Sequence, residues 1–210
     1  MRRLLRELET ALASAAASVS DRATATAFGD FVARLRAIDA AADWPDPEGA
    51  RGRLPVCRFW EAALQSVPGT ARVLADTLGV LAPALSWVQN PNYRRRPPDA
   101  SFLDDYGYAV IAGPVDGPLA LAVDARLALG VLLLGPRTHY PLHAHPAVEV
   151  YYTLTPGGEW WRGAGPWRTE PPGAAIYHAP NVPHATRAGA EPLLAIYVWA
   201  GDLGTHARLA

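Results

Sequence analysis

At 210 residues, half of them apolar and with a formal charge of −1, the chain suits one domain, or one domain with a helical extension, and can bury a substantial core. That balance gives no electrostatic reason to expect nucleic acid or an anionic membrane as a partner. All nineteen basic residues are Arg, which excludes Schiff-base and lysine-base chemistry, and a single cysteine, Cys57, excludes an intrachain disulfide.

The chain begins Met1-Arg-Arg-Leu-Leu-Arg-Glu-Leu-Glu, with charges where a signal peptide needs an apolar run, and no stretch reaches membrane-spanning length; a cytoplasmic protein is expected. Leu4, Leu5, Leu8 and Leu12 recur at helical spacing and predict an amphipathic helix over 2–19. Ser20 or Asp21 can cap a second helix, whose stripe of Phe28, Phe31, Val32, Leu35 and Ile38 reads as core or oligomer contact and which should end at Trp44-Pro45. Residues 45–55, rich in Pro and Gly, predict a loop. Helical patterning returns at Val56–Val67 and Thr70–Leu81, and Pro83 breaks or restarts it. Cys57 reads as a buried apolar thiol, and Arg94-Arg95-Arg96-Pro97-Pro98 as a solvated connector.

From Phe102 the pattern changes to short strands separated by Gly and Pro: Tyr106–Ala112, Leu119–Val123, Arg126–Leu134, Glu149–Thr155, Glu159–Trp161, Ala175–Tyr177 and Leu193–Trp199. Helices followed by many short strands predict an α+β chain: a helical extension over 1–100, packed on a barrel or a partner subunit, then a sandwich or barrel over 101–210.

Five of the six histidines lie between His139 and His184. On an extended strand His143 and His145 share one face, and Glu149 and Tyr151 share another. A bend at Pro146-Ala147 would bring two imidazoles and a carboxylate together, ligands suited to Zn2+, Fe2+, Mn2+ or Ni2+, and His184 is the candidate for a fourth donor. His139 and His178 flank this set and read as exposed or core histidines, and His206 as solvated.

These residues resemble the cupin superfamily. Its first motif, a glycine, His-x-His, three or four residues, Glu and a closing glycine, is matched by Gly135, His143, His145, Glu149 and Gly157. In its second motif Gly173, Ala179, Asn181 and His184 occupy the first four named positions, with Ala and Asn in place of Pro and Gly, and Ala188 in place of the final Asn. Asn is among the few residues that accept the positive φ a glycine would supply there. Within the superfamily, the run from Leu134 to Tyr151 looks like the cupin dimethylsulfoniopropionate (DMSP) lyases of marine bacteria, which also carry a helical segment ahead of the barrel.

The resemblance implies a double-stranded β-helix and one divalent metal ion, Zn2+ or Fe2+ first and Mn2+ or Ni2+ as alternatives, held by His143, His145, Glu149 and His184. It implies β-elimination, with Tyr151 as the base that takes the α-proton and Tyr140 binding or positioning the substrate. Aromatic faces attract onium groups, and Tyr197 and Trp199, which share a strand face, are the candidates to hold the sulfonium. The expected partner is a small sulfonium carboxylate, with a homodimer as an option. Two other readings stay open: another metal-dependent cupin enzyme, either a dioxygenase or an isomerase using Arg137, Arg162 or Arg168 beside the site, and a non-enzymatic small-molecule-binding cupin.

Overall fold

The computed structural model describes residues 1–38 and 52–210. Helices α1 (Arg2–Ser18) and α2 (Arg22–Arg36) form a hairpin closed by Leu4, Leu5, Leu8 and Leu12 against Phe28, Phe31, Val32 and Leu35, all buried. Of the two candidate caps it is Asp21 that serves, accepting the Thr24 N–H at 2.8 Å. The expected helix end at Trp44-Pro45, and most of the expected 45–55 loop, lie outside the described residues.

Val56–Val67 divides into a 3-10 turn, Pro55–Phe59, and helix α3 (Trp60–Ser66). A further 3-10 turn, Gly69–Ala71, precedes α4 (Arg72–Leu81), and Pro83 restarts the chain in a 3-10 turn, Ala82–Ala84. The arginine run differs from the connector expected of it. Asn90 caps and Pro91 opens a short helix, α5 (Pro91–Arg95), which takes in Arg94 and Arg95. Cys57 is half-buried, and burial pushes its thiol up.

The strands are β1 (Trp87–Val88), β2 (Tyr106–Gly113), β3 (Ala122–Val123), β4 (Leu127–Leu134), β5 (His139–Ala144), β6 (Val148–Thr153), β7 (Glu159–Arg162), β8 (Arg168–Thr169), β9 (Ala175–His178), β10 (His184–Arg187), β11 (Leu193–Ala200) and β12 (Arg208–Leu209). One sheet runs β1-β2-β4-β11-β6-β9, with β3 parallel to β2; the other runs β12-β5-β10-β7-β8. Consecutive strands β5 and β6, and β10 and β11, fall in different sheets, so the chain crosses repeatedly between two antiparallel layers. This is a jelly-roll barrel behind a helical segment, the α+β cupin architecture expected.

Five strands are missing from the sequence reading, namely β1, β5, β8, β10 and β12, and two of them, β5 and β10, carry His143 and His184. Strand β1 pairs Trp87 with Ala109 and Val88 with Tyr108, so the sheet begins ahead of residue 101. Like β8 and β12 it is two residues long, too short to carry an alternation signal. Conversely, Leu119–Val123 shrinks to Ala122–Val123, with Leu119 exposed beyond a turn that the Gly117 N–H closes on the Pro114 carbonyl.

Alternation along the long strands makes three layers. In β4 Leu127, Leu129, Val131 and Leu133 belong to the core shared with the helices, as do Leu194, Ile196 and Val198 of β11 and Val150 and Tyr152 of β6. The intervening residues Leu132, Leu134, Ala195, Tyr197 and Tyr151 face a second core inside the barrel. Each strand is therefore buried on both faces, which explains why they read as nearly continuous apolar runs.

Candidate metal centre

Strand parity delivers Glu149 and Tyr151 to the barrel interior from β6. Glu149 lies opposite Trp199 of β11 on one side and His178 of β9 on the other, and Tyr151 lies opposite Tyr197. On the facing sheet His143 of β5 pairs directly with His184 of β10. Residues 145–147 carry the chain from one sheet to the other, with bends at Pro146 and Ala147, so His145 stands at the corner between His143 and Glu149.

A register shift re-aims one residue. Tyr140 pairs with Thr186 and His143 with His184, so β5 spends three residues where β10 spends two. The extra residue, at Pro141-Leu142, is a β-bulge that reverses parity and lets Tyr140 and His143 both point inward. Their rings stack, with centroids 4.0 Å apart and planes 7° from parallel. At the other end of the site Asn181 adopts φ +60°, the conformation read from its place in the glycine position, and leads the chain into His184.

The donors are buried and their tautomers are set by the backbone. His143 Nδ1 meets the Pro141 carbonyl at 2.8 Å, His145 Nδ1 that of Ala147 at 3.0 Å, and His184 Nδ1 that of Val182 at 2.9 Å. A carbonyl only accepts, so each Nδ1 carries a proton and each Nε2 is left to face the site, as a lone pair whenever the ring bears a single proton. His145 Nε2 and His184 Nε2 each lie 3.2 Å from Glu149 Oε2. The His184 contact is out of line for a hydrogen bond, leaving that buried nitrogen without a hydrogen-bond partner among the described residues. Lone pairs this close to a carboxylate require a proton or a cation between them, and the donor types suit a divalent metal.

Ligand atoms of His145, Glu149 and His184 lie within 4.8 Å of one another. His143 stands at the edge of this group, its ring centroid 4.1 Å from His184 and 6.3 Å from His145. Burial alone would raise the Glu149 carboxyl, but His145 and His184 beside it hold it well below the usual carboxylate range. Burial, with His184 adjacent, keeps the His143 imidazole well below its ordinary value and therefore neutral.

A cavity of about 920 Å³ opens beside Glu149, and Tyr140, Tyr151, Tyr197 and Trp199 all line it, joined by Tyr106 and Tyr108. Trp199 donates its Nε1–H to Glu149 Oε1 at 2.5 Å while its ring stacks on His145, centroids 4.1 Å apart. Tyr140 donates its hydroxyl to Tyr93 at 3.3 Å. Tyr197 lies over Gly130, where a Cβ would stand 2.5 Å from the Tyr197 hydroxyl and 2.2 Å from the Ala109 carbonyl, so only glycine admits the ring. Burial, together with the Glu149 charge, pushes the Tyr151 phenol well above its ordinary value. The protein matrix by itself therefore opposes a Tyr151 phenolate.

Sequence reasoning leaves His139 and His178 as exposed or core histidines, and the structure has one of each. His178 is buried inside the barrel, stacked on His184 with centroids 4.0 Å apart; its opposition to Glu149 is a matter of long-range register that spacing does not reveal. His139 is exposed against Trp167. Arg94 and His206 reach the cavity, one from α5 and the other from the segment after β11, which Asn90 and Asn92 hold through the Ala207 carbonyl. Arg137, Arg162 and Arg168 do not line the cavity, whereas Arg94 does.

Comparison with known proteins bears on the family and the fold. The sequence matches the family profile described as dimethylsulfoniopropionate lyase over residues 29–195. It is 35% identical over 106 residues to the dimethylsulfoniopropionate lyase DddQ of Ruegeria pomeroyi, an alignment covering 50% of this chain and 51% of that protein. The chain thus spans about half the length of that relative. The crystal structure of DMSP lyase DddQ from R. pomeroyi superposes with a TM-score of 0.70 at 25% identity, covering 88% of this chain and 93% of that one. A second structure, described under DMSP lyases RdDddP and RnDddQII, shares the fold, with a TM-score of 0.67 at 22% identity over 100% of this chain and 98% of that one. With the profile spanning most of its length, the chain belongs to the dimethylsulfoniopropionate lyase family.

Proposed function

We propose that this protein is a metal-dependent carbon–sulfur lyase that cleaves DMSP to dimethyl sulfide and acrylate. The observation that carries the reading is the convergence of three Nε2-presenting imidazoles and Glu149 beside Tyr151, at the end of an aromatic cavity. His143, His145, Glu149 and His184 would hold the ion, and a nitrogen-rich set with one carboxylate suits Zn2+ or Fe2+, with Mn2+ and Ni2+ as alternatives. When bound, the ion polarises the substrate carboxylate, acidifies the α-carbon and lowers the Tyr151 phenol into a usable range.

Tyr151 then takes the α-proton; the C–H pair becomes the new C=C bond and the C–S pair leaves with dimethyl sulfide. Tyr197 and Trp199 present aromatic faces to the substrate's sulfonium group, where a desolvated cation–π contact contributes about 2 kcal/mol. Tyr140, fixed between His143 and Tyr93, positions the substrate. Trp199 additionally steers the Glu149 carboxylate through its indole N–H. The corresponding proposal for partners and location is a small sulfonium carboxylate handled by a cytoplasmic enzyme, as monomer or homodimer. The single thiol gives no argument for an oxidising compartment.

The test is headspace gas chromatography of dimethyl sulfide after mixing purified, metal-analysed protein with DMSP anaerobically. Sulfide release that a chelator abolishes and Zn2+ or Fe2+ restores is expected. Metal-loaded protein that releases none would reject the reaction. Activity appearing only with O2 would favour the dioxygenase reading.

A further inference from the structure

His178 has two buried ring nitrogens, and neither has a hydrogen-bond partner among the described residues. A neutral imidazole carries one donor and one acceptor, and leaving either unpaired in an interior is unfavourable. Native proteins satisfy groups of this kind with ordered solvent or an ion.

The surroundings narrow the choice. His178 shares the interior face with Glu149, lies flat on His184 with planes 18° apart, and meets the Tyr151 ring edge-on at 5.9 Å. Two nearly parallel rings stacked 4.0 Å apart cannot both aim in-plane lone pairs at one ion. Tyr151 also meets Trp160, ring centroids 5.0 Å apart, whose Nε1–H is a further buried donor with no hydrogen-bond partner among the described residues. The aromatic cavity reaches neither His178 nor Trp160. The wall that these residues form beside Tyr151 thus holds three buried polar atoms with no hydrogen-bond partner among the described residues.

We propose that solvent occupies this wall, and that His178 is a positioning residue which holds a water molecule against the bound ion. The inference rests on the metal reading above. It adds a fifth polar side chain to the centre, one that acts through solvent and matches no position of the ligand motif. Its stacking on His184 is a separate, packing role that any flat ring of similar size would fill.

The test compares the full-length chain with His178→Phe, which keeps the ring on His184 but removes both nitrogens, and with His178→Gln, which keeps hydrogen-bonding capacity. Co2+ affinity is measured by competition with a chromophoric chelator, and the visible Co2+ spectrum reports the ligand field. We expect Phe to weaken binding by about 10- to 100-fold, the usual effect of losing an outer-shell partner, and to alter the spectrum, with Gln recovering most of both. Phe binding within twofold of the unmodified chain, with an unchanged spectrum, would overturn the proposal. Should the Phe variant fail to fold, a high-resolution structure of the metal-loaded unmodified protein decides: water bonded to a His178 nitrogen is expected, and a dry ring overturns it. If the unmodified chain binds no Co2+, the metal reading itself fails and carries this inference with it. The unmodified titration tells that case apart from a failure of His178 alone.

Discussion

Replacing Trp199 with Phe isolates one hydrogen bond at the centre of the site. The indole Nε1–H reaches Glu149 Oε1 at 2.5 Å, and Glu149 is fully buried. Its other oxygen already faces His145 and His184, so Oε1 would lose a donor that water cannot readily replace. Phe retains the ring that stacks on His145, which leaves the lost bond as the main change. Hydrogen bonds to charged groups contribute about 1.5–3 kcal/mol. For a chain of this length that lowers the melting temperature of the metal-free protein by about 3–12 °C. In the loaded protein the carboxylate loses its orienting partner, and metal affinity should fall by about 10- to 100-fold. Differential scanning calorimetry and chelator competition read the two effects. A melting temperature within about 1 °C of the unmodified protein, together with unchanged affinity, would refute the reasoning, because Glu149 would not then depend on Trp199.

Tyr151→Phe should retain metal while dimethyl sulfide release falls by about 10²- to 10⁴-fold, the usual contribution of a positioned general base; full activity in the gas-chromatographic assay would remove Tyr151 from that role. Gly130→Ala sets a methyl group against the Ala109 carbonyl and the Tyr197 ring, and should destabilise the fold by about 1–3 kcal/mol in urea titration while displacing Tyr197 from the cavity. In metal-free protein, stability should fall as pH drops below 6.5, because His143 and His178 stay neutral in the native chain while the unfolded chain takes up protons. At the alkaline end it should fall above pH 10, since burial pushes Tyr108 up to about 12 and Tyr106 and Tyr197 well above 10, whereas the unfolded phenols ionise. Urea midpoints across both ranges check these signs, and a flat profile contradicts the burial of these rings.

Much of the barrel was legible because alternation is a local property. The order of apolar and polar residues in β4, β6 and β11 assigns Glu149, Tyr151, Tyr197 and Trp199 to one side and Tyr152 to the other without reference to anything distant. The helical hairpin was equally legible from its leucine and phenylalanine stripes, and the αL turn at Asn181 followed from the few residue types that tolerate it.

Pairing register, by contrast, is settled between segments far apart in the chain. Only the assembled sheets bring His184 opposite His143 and His178 opposite Glu149, and only the bulge at Pro141-Leu142, invisible to a period of two, turns Tyr140 inward alongside His143. The same holds for Trp199 as the donor to Glu149 and for Arg94 at the cavity, a residue that reads in sequence as part of a basic connector. Residue order decides which side chains can face inward because backbone geometry repeats every second residue. Which of them meet depends on contacts whose formation spans the whole fold.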